Sequence, residues 1–240
     1  MQVKCFDTTS DLDLYAARLF ASALKAKPEA TLGLATGSTP IGIYEKMIEM
    51  YENGEMSFQY ATTFNLDEYV GLPPDHEQSY ARFMRRHLFG HIDLPAGKAH
   101  LPNGNAADLA AECAGYDRML EAQPVDIQLL GIGHNGHIGF NEPDEELQGG
   151  THIVALEQDT REANARFFAS IDEVPTQAIT MGVGSILKAE SILLVVKGAD
   201  KAAIVKQALQ GPITTECPAS LLQTHKNVTV LVDREAGRLL

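Results

Sequence analysis

The sequence predicts an α/β fold: a single-domain, Rossmann-like, mostly parallel sheet with helices on both faces. Three observations lead there. Short, near-continuous aliphatic runs recur along the chain; helical patterns of ten or more residues separate them; and 45% of the 240 residues are hydrophobic against 21% charged, the ordinary mixture of a globular protein. Aliphatic strands without polar alternation need cover on both faces, which parallel sheets obtain from their crossover helices.

Taken in order, Leu12, Leu14, Ala17, Leu19, Ala21 and Leu24 recur with helical period and stop near Pro28, so the first helix precedes the first strand, TLGLA at 31–35. Further strands are expected at 61–66 (ATTFNL), 125–133 (VDIQLLGIG), 178–183 (AITMGV), 192–198 (ILLVVKG) and 227–233 (NVTVLVD). Helical patterns fill 40–53, 79–89, 106–122, 160–169 and 199–210, with a shorter one at 219–225. No internal repeat, low-complexity tract or Ser/Gly-rich linker interrupts them, and the loops at 72–78 and 141–151 have the look of working loops. Residues 1–240 are therefore expected to form one domain.

Asp and Glu number 32 against 19 Lys and Arg, a formal net charge of −13. That balance argues against a nucleic-acid footprint or an anionic-membrane surface, so an anionic small molecule must be met by local cations or backbone dipoles. Three scattered cysteines, Cys5, Cys113 and Cys217, form no disulfide framework or metal motif, and an odd count suits a reducing compartment. The first fifteen residues lack an apolar leader core, and ILLVV at 192–196 is far short of a bilayer span. The expected location is the cytoplasm.

Ligands of open α/β sheets bind beyond the carboxyl ends of the strands, and three strand ends carry unusual residues. In the first, Gly37-Ser38-Thr39-Pro40 leads from a strand into a helix, with Thr39 expected as N-cap and Pro40 as the first helical residue. Gly37 would let backbone approach a ligand, and free N–H groups at the helix start suit a phosphate; an ordinary capped turn is the alternative. In the second, Asp67 and Glu68 follow ATTFNL directly. Extended neighbours point opposite ways, so one carboxylate should face the crevice as a candidate general base, unless both are solvated.

The third strand end is GIGHNGHIGFNEP (131–143), where Gly131, Gly133 and Gly136 spell GxGxxG. A dinucleotide fold needs that motif at its first strand-to-helix turn, opening an uninterrupted helix; here it falls mid-chain before a glycine and a proline, which excludes that reading. Asn135 and His137, two apart, would share a face of extended backbone, with Glu142 able to swing back toward them. His134, His137 and Glu142 could supply three metal ligands, but their spacing fits no helical HExxH pattern. His76, His87, His91, His100, His152 and His225 have no comparable setting.

The segments GLATGSTP, FNLDEYVGL, GIGHNGHIGFNEP, DTREANARFF and PASLLQTHKNVTVLVD together resemble, in the same order, those of the glucosamine-6-phosphate deaminase family, and the likeness covers nearly the whole chain. The TGSTP turn and the GxGxxGH segment are also similar to 6-phosphogluconolactonases. The resemblance implies conversion of glucosamine 6-phosphate and water into fructose 6-phosphate and ammonia, without redox step, metal or organic cofactor. It assigns His137 as ring-opening base, Glu142 as its carboxylate partner, and Asp67 as the group moving a proton from C2 to C1. It places the phosphate on Gly37, Ser38 and Thr39 with Arg166 and Lys201 as cations, and Gly131 against the sugar. It also implies a lid from about 152 to 181.

Two departures follow from the same comparison. Many family members have an aspartate where this chain has Asn135, so Glu142 is expected to carry the electrostatic role alone. Members that form allosteric hexamers activated by N-acetylglucosamine 6-phosphate have an arginine and a lysine where this chain has His152 and Val154, which disfavours that control here. The rival readings are a 6-phosphogluconolactonase-like hydrolase, which has no need of a C2 base at Asp67, and a catalytically silent sugar-phosphate sensor. Against the sensor, no helix-turn-helix or basic face is evident.

Overall fold

The computed structural model describes residues 1–156, 158–165, 168 and 170–240. In chain order the elements are β1 (Gln2–Phe6), α1 (Thr9–Ala26), β2 (Thr31–Leu34), α2 (Ile41–Glu52), β3 (Thr62–Asn65), β4 (Asp67–Tyr69), α3 (Tyr80–His87), β5 (Ala99–His100), α4 (Leu109–Ala122), β6 (Ile127–Leu130), β7 (His152–Ala155), α5 (Gln158–Ala165), β8 (Gln177–Thr180), α6 (Val183–Leu187), β9 (Ser191–Val196), α7 (Ala202–Gln210) and β10 (Val228–Asp233). Seven strands form one sheet in the order β1-β10-β9-β6-β2-β3-β5, and every pairing within it is parallel. All four residues of β2, β3 and β6 are buried. Since neighbouring side chains in a strand point to opposite faces, both faces of the sheet are covered.

The main core joins Phe20 of α1, Met47 of α2 and Val205 of α7 to Leu32, Leu129, Leu194 and Val230 of the sheet. Thr8 starts α1 by accepting the Asp11 N–H on its hydroxyl, a satisfied helix entry. The chain leaves β2 toward β3 on one side of the sheet, whereas β6 is followed by its other neighbour, β9. The crevice between the carboxyl ends of β2 and β6 is thus a topological switch point, where such folds bind ligands.

The remaining three strands depart from the expected single sheet. The 178–183 run, read as one more parallel strand, instead supplies β8 of a separate antiparallel sheet, β4-β8-β7. A short apolar run does not reveal its partner, which depends here on chain entering from β7 and on β4 leaving the main sheet after Leu66. Leu66 is the junction: its N–H donates to the Leu34 carbonyl, and its own carbonyl accepts from Met181. Beneath this sheet Tyr69, Phe140, Leu156 and Ala178 form a second small core. The expected 219–225 helix is a 3-10 segment, Pro218–Thr224, and among the described residues no helix is long and apolar enough to cross a membrane.

Candidate active site

The turn after β2 puts Gly37 at φ +93 with open space where a Cβ would be, and Gly37 and Ser38 are exposed at the switch point. Helix α2 begins one residue later than expected. Pro40, not Thr39, is its N-cap residue, and no side chain caps it. Pro40 has φ −79 and ψ −10, so its ring already supplies a helix-compatible φ and it has no N–H to satisfy. Thr39 is used through its backbone, its carbonyl accepting from Lys197 Nζ at 2.9 Å.

Asp67 and Glu68 are both buried, so neither belongs to a solvated turn. They divide the two sides of β4 as extended backbone requires. Glu68 accepts the N–H groups of Tyr69, Tyr80 and Ala81 at 2.8–2.9 Å and so satisfies the start of α3, beside the Ser79 cap. Asp67 faces the loop after β6: its Oδ2 lies 3.8 Å from where a Cβ on Gly139 would stand. Burial first, and the Glu68 charge second, push the Asp67 carboxyl up to about 8. The buried phenols of Tyr44, Tyr69, Tyr80 and Tyr116 are raised by burial, and further by the Asp67 charge.

The loop after β6 is a turn rather than the extended segment expected. The Gly133 N–H donates to the His137 carbonyl, and that of Gly136 to the Gly133 carbonyl. The turn nevertheless gathers the three residues. His137 Nδ1 lies 2.9 Å from Glu142 Oε2, Asn135 Nδ2 donates to that same oxygen at 2.5 Å, and the His137 N–H donates to Asn135 Oδ1 at 3.2 Å. With Glu142 ionised, Nδ1 carries the proton and Nε2 keeps its lone pair, as a base requires. Asn135 therefore bonds through its side chain to the carboxylate and to the His137 backbone N–H.

The glycines of this loop have separate tasks. A Cβ on Gly133 would meet the His137 ring at 2.3 Å, and one on Gly136, at φ +90, would meet Cys217 Sγ at 2.7 Å. Gly131 borders open space. His134 turns away from His137 and Glu142 to pair with Asp200 at 2.6 Å, and among the described residues no three His, Cys, Asp or Glu side chains gather as a metal would require. Lys201 ends a 3-10 turn and stands at the N-cap of α7, but it is half-buried rather than solvated and donates to the Ile132 carbonyl at 3.0 Å. Burial lowers its pKa, partly countered by Asp200.

Residues 7–231 match the family of glucosamine-6-phosphate isomerases and 6-phosphogluconolactonases. The chain belongs to that family. Within the isomerase/lactonase family, it is 50% identical to a glucosamine-6-phosphate deaminase of Bacillus pumilus, over 240 residues and the full length of both. A solved structure of a monomeric glucosamine-6-phosphate deaminase is 48% identical and superposes with a TM-score of 0.97 over 100% of both chains. The 6-phosphogluconolactonase of Trypanosoma brucei has a TM-score of 0.81 at 19% identity, covering 100% of this chain and 98% of that one; this likeness is one of fold.

On the isomerase/lactonase framework, the site residues named from sequence fall into three groups. Asn135, His137 and Glu142 form one hydrogen-bonded cluster; Asp67 faces their loop; and Gly37, Ser38, Thr39, Gly131 and Lys201 line adjoining strand ends at the switch point. Arg166 lies outside the described residues. Sequence reasoning passed over Thr180, whose Oγ1 accepts the Phe140 N–H at 3.1 Å, and Asp13 and Lys197. A charge on the apolar stripe of a helix and a lysine directly after an aliphatic run were the available signals.

Proposed function

We propose that the chain converts glucosamine 6-phosphate and water into fructose 6-phosphate and ammonia. The observation that carries this reading is the buried Asp67 carboxyl, raised to about 8 by burial and facing the loop that holds the His137–Glu142 pair. A carboxyl in that state exchanges protons near neutrality. The phosphate lies on the N–H groups of Gly37, Ser38 and Thr39 at the start of α2, with Lys201 and Arg166 as cations. His137 Nε2 takes the anomeric hydroxyl proton and returns a proton to the ring oxygen, while Glu142 stabilises the imidazolium.

In the opened sugar, Asp67 removes the C2 proton as the aldehyde oxygen is protonated, giving a cis-enolamine. The same carboxyl then protonates C1 from that face. The resulting C2 imine is attacked by water, and the carbinolamine expels ammonia. A lid spanning about 152–181 excludes water from the enolamine. Its first strand is pinned where Asp117 accepts the Thr151 N–H and hydroxyl at 2.6–3.0 Å. The enzyme works as a monomer, as does its 48% identical relative, and responds to no N-acetylglucosamine 6-phosphate. Ammonia release from glucosamine 6-phosphate, measured beside hydrolysis of 6-phosphogluconolactone, tests the activity. Ammonia with no lactone turnover is expected; lactone hydrolysis without ammonia overturns the reading in favour of the lactonase branch.

A further inference from the structure

An aspartate on the apolar stripe of a helix is costly unless its charge is met. Asp13 occupies such a place on α1, 6% exposed beside Leu12, Ala16 and Ala17. Its Oδ1 lies 2.6 Å from Lys197 Nζ, whose side chain is 18% exposed. The room for this pair comes from α2: a Cβ on Gly42 would stand 2.2 Å from Asp13 Oδ2. Lys197 directly follows β9, and its ammonium also donates to the Thr39 carbonyl at 2.9 Å.

The loop that Lys197 opens is held along its length. The Gly198 N–H, at φ +96, donates to Asp233 Oδ2; Asp200 pairs with His134; and Lys201 donates to the Ile132 carbonyl. One end of this short loop therefore grips the turn after β2 and the other grips the turn after β6.

We infer that Lys197, braced by Asp13, is a positioning residue of the phosphate subsite. It holds the Thr39 carbonyl, a group that would repel an anion, in the direction of its ammonium, and it sets a fixed positive charge behind the N–H groups of Gly37, Ser38 and Thr39. This inference rests on the reading of those three residues as the phosphate cradle. Stability alone gives little reason for the pair, because an apolar pair filling the same space serves a fold as well or better. An apolar pair, however, supplies neither donor nor charge to Thr39.

The experiment compares wild type, Lys197→Met and Asp13→Asn/Lys197→Met. The double variant leaves no carboxylate buried alone, so it reports on the site even where the single variant folds poorly. Two quantities are read on folded protein: KM and kcat for glucosamine 6-phosphate, and the inhibition constant or calorimetric affinity of inorganic phosphate. In both variants KM and the phosphate constant are expected to rise about tenfold, the weight of one charge-assisted hydrogen bond, with kcat changed less than about twofold. Unchanged KM and phosphate affinity beside a lowered Tm would make the pair structural only and overturn the inference. The phosphate arm keeps the two readings apart. A wild type that binds phosphate but releases no ammonia contradicts the proposed reaction while leaving the Lys197 comparison readable, whereas a wild type that binds no phosphate overturns both cradle and inference.

Discussion

Because burial and the Glu68 charge raise the Asp67 carboxyl from 3.8 to about 8, the folded protein favours its neutral form. The sign of the pH response follows. Stability from the neutral carboxyl is fully present below about pH 4 and is lost as pH rises through 8, because the unfolded chain ionises first. Asp67→Asn, which does not titrate, is therefore expected to gain on wild type between pH 5 and 8, by a few kcal/mol at the upper end. Denaturant midpoints at the two pH values check this; a constant difference contradicts it. At the neighbouring pair, Asn135→Asp replaces the amide donor to Glu142 Oε2 with a second carboxylate. Added negative charge beside His137 favours the imidazolium, so the acid limb of kcat/KM is expected to move to higher pH, and an unmoved limb counts against Glu142 acting alone. The residue types were legible in the sequence; their contacts were not. Asn135 was expected to share a face with His137 and instead holds the carboxylate, because residues 133–136 close into a turn whose shape depends on Gly133 and on the fit of Gly136 against Cys217.

Strand β4 is the element on which the proposed chemistry turns, since three residues place one carboxyl toward the loop after β6 and the next at the start of α3. Glu68→Ala would leave one buried and two half-buried N–H groups without this acceptor, a loss of about 2–3 kcal/mol in unfolding free energy. The same change is expected to lower kcat through a displaced Asp67, and a variant with wild-type stability would show that Glu68 does not anchor β4. This strand could not be read from sequence. DEY carries no apolar run, and its pairing with β8 is set by chain more than a hundred residues away. The long aliphatic strands and amphipathic helices were legible because both faces of β2, β6 and β9 need cover. β1 was missed because an edge strand with the pattern exposed, exposed, half-buried, exposed, half-buried shows no such signal.

Across the whole molecule, the parallel sheet aligns its strand ends, and the switch between β2 and β6 brings the Gly37–Thr39 turn, the proposed phosphate cradle, beside the His137 turn in a chain of net charge −13. The parallel α/β class was legible at this scale, whereas the second sheet, which depends on long-range pairing, was not. His152 bonds to the Gly150 carbonyl and Val154 lies two residues on in β7, so these two positions carry neither an arginine nor a lysine. Light scattering is expected to give a single-chain mass, with glucosamine 6-phosphate kinetics unchanged by N-acetylglucosamine 6-phosphate; a hexamer with an effector response would contradict this. The most direct test of the central claim follows hydrogen at C2 and C1 by NMR while wild type and Asp67→Asn act on glucosamine 6-phosphate in deuterated water. Wild type should wash out the C2 hydrogen and deliver fructose 6-phosphate labelled at C1 on one face, and Asp67→Asn should bind the sugar yet slow both events by about 10²–10⁴-fold. Exchange at the wild-type rate in Asp67→Asn would show that another group moves the proton.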